Sequence, residues 1–189
     1  LCIPNTFGYS MSQKVLLNAK AINIILHRLA CQLIENHNDF TNTVLIGIQP
    51  RGKYLANRIV TILKEDYKIK NVQLGHLDIT FYRDDFRRSE KPLEAKTTEM
   101  NCVVDDKKVV FIDDVLYTGR SIRAALTAIQ SFGRPKGIEL LTLIDRRFSR
   151  HLTIQPDYRG RQVDAINEEK VIVNWTENVG EDSVYLINN

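Results

Sequence analysis

Cysteine is scarce in this chain, with Cys2, Cys31 and Cys102 the whole complement in 189 residues. An odd, scattered set excludes a disulfide framework and lacks the paired spacing of a zinc site, so a reducing, cytoplasmic setting is expected. Tryptophan occurs once, and five prolines and nine glycines are spread without any rich tract. No repeat or low-complexity segment divides the chain. Long apolar runs are missing too: none approaches the roughly 18 residues of a membrane-crossing helix. The first residues lack the basic stretch and apolar core of a secretory signal. Charge of one sign does not dominate, since 26 basic and 23 acidic side chains leave a net charge of +3. That balance permits a phosphate ligand or a nucleic acid and requires neither.

What is present suits one domain, because 43% hydrophobic content over this length buries a sizeable core. The domain is expected over residues 11–189, with 1–10 reading as an added leader ahead of Met11. From Ala19 to Ile34, Ile22, Ile25, Leu26, Leu29, Leu33 and Ile34 recur at helical spacing and leave one polar face. Thr43 to Ile48 reads as a buried strand, Gln49-Pro50-Arg51-Gly52 as its turn and Tyr54 to Lys64 as a helix. Val72 to Phe81 reads as another strand. Between Tyr82 and Asp106 the apolar pattern lapses for too long to be an ordinary loop, which predicts a mobile arm or a β-excursion. Strand and helix return over 109–132, Ile138 to Ile144 forms a further strand, and Lys170 to Trp175 is strand-like.

Alternating helices and near-continuous apolar strands predict an α/β fold with a central, mostly parallel sheet flanked by helices. Ligands of such sheets sit beyond the carboxyl ends of the strands. Arg51-Gly52, Arg83-Asp84-Asp85, Asp113 to Ser121 and Asp145-Arg146-Arg147 should therefore face one site. The most telling run is Val109 to Ser121, where an apolar strand empties into Asp113-Asp114, then Val115-Leu116-Tyr117-Thr118-Gly119-Arg120-Ser121 and a helix. Two acids after a strand also suit a plain turn or an N-cap. The adjoining Thr-Gly-Arg-Ser changes the balance, because a glycine lets backbone approach a phosphate and a helix amino terminus favours an anion. Carboxylates beside an anion site repel that anion unless they hold sugar hydroxyls or a cation at its other end, and a phosphorylated ribose meets both demands.

Asp-Asp-Val-Leu-Tyr-Thr-Gly-Arg resembles the fingerprint of type I phosphoribosyltransferases in the form found in the PyrR family. Gly47 to Gly52, Asp78 to Asp85, Gly133-Arg134-Pro135 and Leu143 to Arg146 match further landmarks of that family in order, so the resemblance covers Gln13 to Asn189. It implies a small hood, a long flexible arm, and a uracil phosphoribosyltransferase that joins uracil to 5-phosphoribosyl 1-diphosphate (PRPP), giving UMP and diphosphate. Asp113, Asp114 and Arg83 would be catalytic. PRPP would be held by Arg51, Gly52 and the run Asp113, Asp114, Val115, Leu116, Tyr117, Thr118, Gly119, Arg120 and Ser121. Magnesium, the implied cofactor, would be reached through diphosphate and ribose oxygens rather than a carboxylate cage. Arg87, Arg88 and Lys91 on the arm are candidates to close over the site. Uracil would meet Asp145, Arg146 and Val163, in a hood placed near Tyr158 to Ile166. There the chain departs from the family, with Asp164-Ala165-Ile166 where relatives commonly carry Pro-Thr-Ser.

The resemblance also implies, in many members, a homodimer or higher oligomer that binds the leader RNA of pyrimidine operons and attenuates transcription. Arg28 and Arg161 are the RNA-binding candidates here, with Arg159 and Lys170 adding basic character. Relatives that bind RNA tend to carry Thr, His, Arg and Lys where this chain has His27, Cys31, Asn36 and Gln49, and a thiol neither neutralises phosphate nor forks to a base edge. An attenuator first and foremost, and an enzyme for a purine base, are the alternative readings.

Overall fold

Thr43–Ile48 (β2) is buried at every position, as a strand covered on both faces must be. The computed structural model, which describes residues 13–83, 98–165 and 169–188, places β2 inside a five-stranded parallel sheet. Its neighbours are β3 (Gln73–Leu77) on one side and β4 (Lys108–Leu116) on the other, followed by β5 (Gly137–Arg147) and the edge strand β6 (Tyr158–Asp164), in the order β3-β2-β4-β5-β6. The chain enters through β1 (Gln13–Asn18) and α1 (Ala19–His37). Two further helices, α2 (Gly52–Glu65) and α3 (Arg120–Ile129), follow β2 and β4.

Alternation along the strands divides the core in two. Leu45, Val110, Ile112, Leu141 and Leu143 point to the face covered by α1 and α2. Val44, Ile46, Val109, Phe111 and Leu140 point to the other, where Ile122, Ala125 and Ala128 of α3 cover them. Each buried Val, Leu, Ile or Phe side chain among them contributes roughly 1.5–3 kcal/mol by leaving water. The chain closes with β7 (Glu169–Asn174), the short α4 (Thr176–Val179) and β8 (Ser183–Asn188), which pairs antiparallel with β1 and β7 in a separate three-stranded sheet. Arg58 of α2 ties the α4–β8 segment down: it pairs with Glu177 at 2.7 Å and Asp182 at 2.6 Å and lies 4.8 Å over the ring of buried Trp175.

The structure corrects two expectations. The strand foreseen over Val72 to Phe81 ends at Leu77, because the Asp78 carboxylate accepts from both the backbone N–H and the hydroxyl of Thr80 (2.9 and 2.6 Å) and turns the chain into a single 3₁₀ turn, Thr80–Tyr82. The hood foreseen near Tyr158 to Ile166 is instead the edge of the main sheet as far as Asp164, since β6 pairs with β5 in parallel register. The small sheet is built from strands near both ends of the described chain. Asp164, at one of the departures from the family pattern, takes Arg147 in a two-pronged pair at 2.5 Å, and Ile166 lies outside the described residues. So do residues 1–10 and the arm positions Asp84, Asp85, Arg87, Arg88 and Lys91. The arm returns at Glu99, which bridges antiparallel to His76 at the edge of β3. Among the described residues no helix is long and apolar enough to cross a membrane.

Candidate active site

The carboxyl ends of β2 and β4 lie side by side, and a glycine sets how closely their turns approach. A Cβ on Gly52 would fall 2.3 Å from the carbonyl oxygen of Ile112 and 3.1 Å from Cα of Asp113. Only a residue without a side chain lets the turn Gln49-Pro50-Arg51, whose Gln49–Pro50 peptide is cis, come down onto the acids of β4. That contact places the amino terminus of α2 and Arg51 beside Asp113 and Asp114.

The two acids are almost wholly buried, at 9% and 5% exposure. Burial, reinforced by the neighbouring Asp114 carboxylate, pushes Asp113 well above the ordinary aspartate range. Asp114 is also raised by burial, while Arg51 pulls it back. Oδ2 of Asp114 is buried and has no hydrogen-bond partner, whereas Oδ1 of Asp113 accepts from the Asp114 backbone N–H at 2.9 Å. A buried, unsatisfied carboxylate oxygen costs free energy in an empty site and suits a hydroxyl or hydrated cation supplied by a ligand.

Beyond the acids the chain turns through Tyr117-Thr118-Gly119 into α3. Gly119 occupies the left-handed region at φ +89° and caps α3 without a side chain, so the helix amino terminus faces a cavity of about 210 Å³ lined by Arg83, Asp113 and 115–122. A second cavity, of about 190 Å³, is lined by Ile48 to Arg51, Ile79, Arg83, Asp113 to Val115 and Ser121. Arg83, Asp113, Val115 and Ser121 belong to both, so the two form one trough. It has a helix terminus at one end, the Arg51 turn at the other and the acids between.

A family model for the phosphoribosyl transferase domain matches residues 12–176. The chain belongs to the phosphoribosyltransferase family. Within it, this phosphoribosyltransferase is 41% identical to the bifunctional protein PyrR of Clostridium beijerinckii over 91% of its own length and 96% of that protein's. It is 44% identical to the bifunctional protein PyrR of Microcystis aeruginosa over the same shares, and these similarities place it in the PyrR family. Solved structures agree on the type I fold. A hypoxanthine phosphoribosyltransferase from Staphylococcus aureus superposes with a TM-score of 0.66 over 93% of this chain and 91% of that one at 19% identity. One from Trypanosoma cruzi gives 0.70 over 96% and 94% at 13% identity.

The trough gathers Arg51, Arg83, Asp113, Asp114 and the run from Val115 to Ser121, with Gly52 packed beneath it against Ile112 and Asp113. The three candidates for uracil lie beside it at the ends of β5 and β6, where Asp145 is in register with Leu116 of β4, and Arg146 with Val163. Both oxygens of Asp145 face guanidinium groups, Oδ1 that of Arg150 and Oδ2 that of Arg159 at 3.4 Å. Arg146 is buried with its guanidinium 4.0 Å from the Tyr117 ring centroid. The Val163 side chain points into the core on the α1 face. Sequence reasoning missed Arg150. In Arg146-Arg147-Phe148-Ser149-Arg150 three arginines stand within five residues, and no local pattern tells that Arg146 and Arg150 turn inward while Arg147 does not.

The polar face of α1 divides between two neighbours. Arg28 donates to the carbonyls of Arg159 and Gly160 at 3.1 and 2.5 Å, and Asn36 to the Tyr158 hydroxyl at 3.1 Å. His27 and Cys31 turn instead to Asp66 and Tyr67, beyond α2. Arg161, exposed, donates to the Leu16 carbonyl at 2.6 Å. Gln49 is not on this face; it lines the trough at the end of β2.

Proposed function

We propose that this chain is a uracil phosphoribosyltransferase, transferring the phosphoribosyl group of PRPP to uracil with release of diphosphate. The observation that carries the reading is the buried Asp113–Asp114 pair held between the Gly119 turn and the Arg51-Gly52 turn. The 5-phosphate is assigned to the backbone and hydroxyls from Thr118 to Ser121 and to the α3 terminus. Asp113 and Asp114 receive the ribose hydroxyls, and their charge offsets the cationic character that develops at the anomeric carbon as the leaving group departs. Arg51 and the Gly52 N–H take the diphosphate, and Arg83, common to both halves of the trough, neutralises the charge that accumulates on it. Magnesium would fit this donor set through ligand oxygens and water, with the buried, partnerless Asp114 Oδ2 available to accept from its hydration shell, and would supply charge neutralisation on the diphosphate. Uracil is assigned to the ends of β5 and β6 where Asp145, Arg146 and Val163 stand, with the Asp145 carboxylate already paired with Arg150 and Arg159 and the Val163 side chain turned to the core. The resemblance of Asp113 to Arg120 to the PyrR form of the motif supports uracil over a purine.

The catalytic unit is assigned to residues 11–189, working as a homodimer or higher oligomer in the cytoplasm. The test is UMP formation from uracil and PRPP by the unmodified chain and by a variant with Asp113→Asn and Asp114→Asn. Turnover that collapses in the variant supports the reading, and unaffected turnover removes the site assignment.

A second role, binding pyrimidine-operon leader RNA, is supported by the bifunctional PyrR relatives and by one surface feature. An open groove of about 740 Å³ beside the trough is lined by Arg147, Phe148, Arg150, His151 and Arg159 among others, and Arg28 reaches the backbone of Arg159 and Gly160 from α1. Cations with an exposed aromatic ring suit single-stranded nucleic acid. Gel-shift binding to the organism's own pyrimidine leader, strengthened by UMP and weakened by Arg28→Ala or Arg161→Ala, is the expected result; weak, sequence-indifferent binding would remove this role.

A further inference from the structure

The turn that is to hold the 5-phosphate does not set its own shape. Its carbonyl groups are taken up by the loop after β5. Arg150 Nη1 donates to the carbonyl oxygen of Tyr117 and its Nη2 to Oδ1 of Asp145, while the backbone N–H of His151 donates to the carbonyl of Thr118 at 3.1 Å. Two successive carbonyls are thus held toward the 150–151 loop. In a planar trans peptide the N–H points opposite to the C=O. Fixing the carbonyls of Tyr117 and Thr118 on that side therefore aims the N–H groups of Thr118 and Gly119 the other way, where a phosphate needs donors.

The rest of the loop reinforces the arrangement. Arg146 lies against the Tyr117 ring, and the site of a Cβ on Gly119 would be 3.3 Å from Ile154 and 3.5 Å from Leu152, so the turn is backed by side chains as well as by hydrogen bonds. Arg150 is itself held. Its side chain is 22% exposed and that of Asp145 only 6%, and a guanidinium fork that binds two fixed acceptors loses little further freedom.

We propose that Arg150 is a positioning residue that sets the phosphate-binding turn through the Tyr117 carbonyl, and that Asp145 is its anchor rather than a contact to the base. The inference rests on the phosphoribosyltransferase reading of the trough and adds a residue to it. It predicts that loss of Arg150 weakens one end of PRPP and spares the other. The 5-phosphate end depends on the turn, whereas the diphosphate end depends on Arg51 and Gly52, to which neither of these Arg150 hydrogen bonds leads.

The experiment is calorimetric titration of the unmodified protein, Arg150→Met and Asp145→Asn with ribose 5-phosphate and, separately, with magnesium diphosphate. Arg150→Met should bind ribose 5-phosphate about tenfold more weakly, the worth of a charge-assisted hydrogen bond. Its diphosphate affinity should stay within about twofold, as for independent sites. Asp145→Asn should shift the same way by less, because a neutral amide still accepts from Arg150. In turnover, Arg150→Met should raise KM for PRPP while KM for uracil and kcat hold. Ribose 5-phosphate binding that is unchanged, or equal weakening of both ligands, overturns the role of Arg150. If Arg150→Met does not fold, Arg150→Lys, which keeps the charge and loses the fork, is read on the same two ligands. An unmodified protein that binds neither ligand overturns the trough assignment itself, and with it this inference.

Discussion

Gly52 and Ile112 come so close that a single added carbon on the glycine would sit 2.3 Å from the isoleucine carbonyl oxygen. The Arg51 turn, to which the diphosphate is assigned, is thereby seated on the strand that carries the acids, and the spacing of the two halves of the trough depends on one missing Cβ. Gly52→Ala should push the Arg51 turn outward. Overpacking of this kind costs about 1–3 kcal/mol, and displacement of a positioning turn by an ångström lowers kcat/KM by up to about a hundredfold. Thermal unfolding and steady-state kinetics on PRPP check this, with the greater effect expected in KM for PRPP.

Asp113 should be a residue that the empty protein keeps at the expense of stability. Burial raises its carboxyl above the ordinary range, so between its unfolded and folded values the native state holds a proton that the unfolded chain has lost. Stability then falls as pH rises through that window, and the cost is fully present above it. Asp113→Asn removes the titration. It should raise Tm at neutral pH and flatten the decline from acid to neutral, while lowering kcat at least about a hundredfold through lost electrostatic stabilisation. Unfolding curves at several pH values, with parallel turnover assays, decide it.

The opposite sign is expected at His37, on the far end of the sheet. Burial lowers its pKa, with Lys108 lowering it further and Glu139 opposing. It sits in a network with Glu139 at 3.1 Å, the Tyr158 hydroxyl at 3.0 Å and the Thr43 hydroxyl at 3.0 Å. An unfolded chain holds more protons here than the native one between the two values, so stability rises with pH through that window and is lost below it. His37→Gln should cost about 1–2 kcal/mol at neutral pH through broken hydrogen bonds and reduce the acid slope. Urea unfolding between about pH 5 and 7, the range in which histidine titrates, measures both.

Arg58 joins α2 to the segment between β7 and β8 through Glu177, Asp182 and the face of Trp175. The cluster is partly exposed, with Arg58 at 22% and Glu177 at 41%. Arg58→Met should therefore cost about 2 kcal/mol, between the values for surface and buried pairs. Arg58 holds Glu177 and Asp182 below the usual carboxylate range. That contribution is present above their unfolded values and lost as pH falls through the folded ones, so the wild-type advantage should shrink in acid. Activity should change little, which thermal scans beside kinetic assays will show.

Much of the candidate site's layout was legible in Val109 to Ser121 because its information is local: apolar strand, acids, glycine turn and helix start lie within thirteen consecutive residues, and spacing alone puts them together. The strand elements and the parallel sheet followed from alternating periodicities in the same way. Contacts between distant segments did not. Nothing in the sequence around Arg58 points to Trp175, and nothing around Arg150 points to Tyr117, because a long cationic side chain reads the same whether it is solvated or turned inward. The end of β3 at Leu77 was missed for a local reason, since the Asp78 carboxylate outbid the ladder for the Thr80 donors. The side chain of Asp145 was read as facing a ligand from its place at a strand end, and its partners, Arg150 and Arg159, lie in segments whose paths periodicity does not give.

The most direct measurement is a competition of bases: uracil, hypoxanthine and guanine offered with PRPP and magnesium, with nucleotide products separated and quantified. The predicted result is UMP as the dominant product, abolished when Asp113 and Asp114 are both changed to Asn. Preferential formation of a purine nucleotide, or UMP formation that survives loss of both acids, would contradict it.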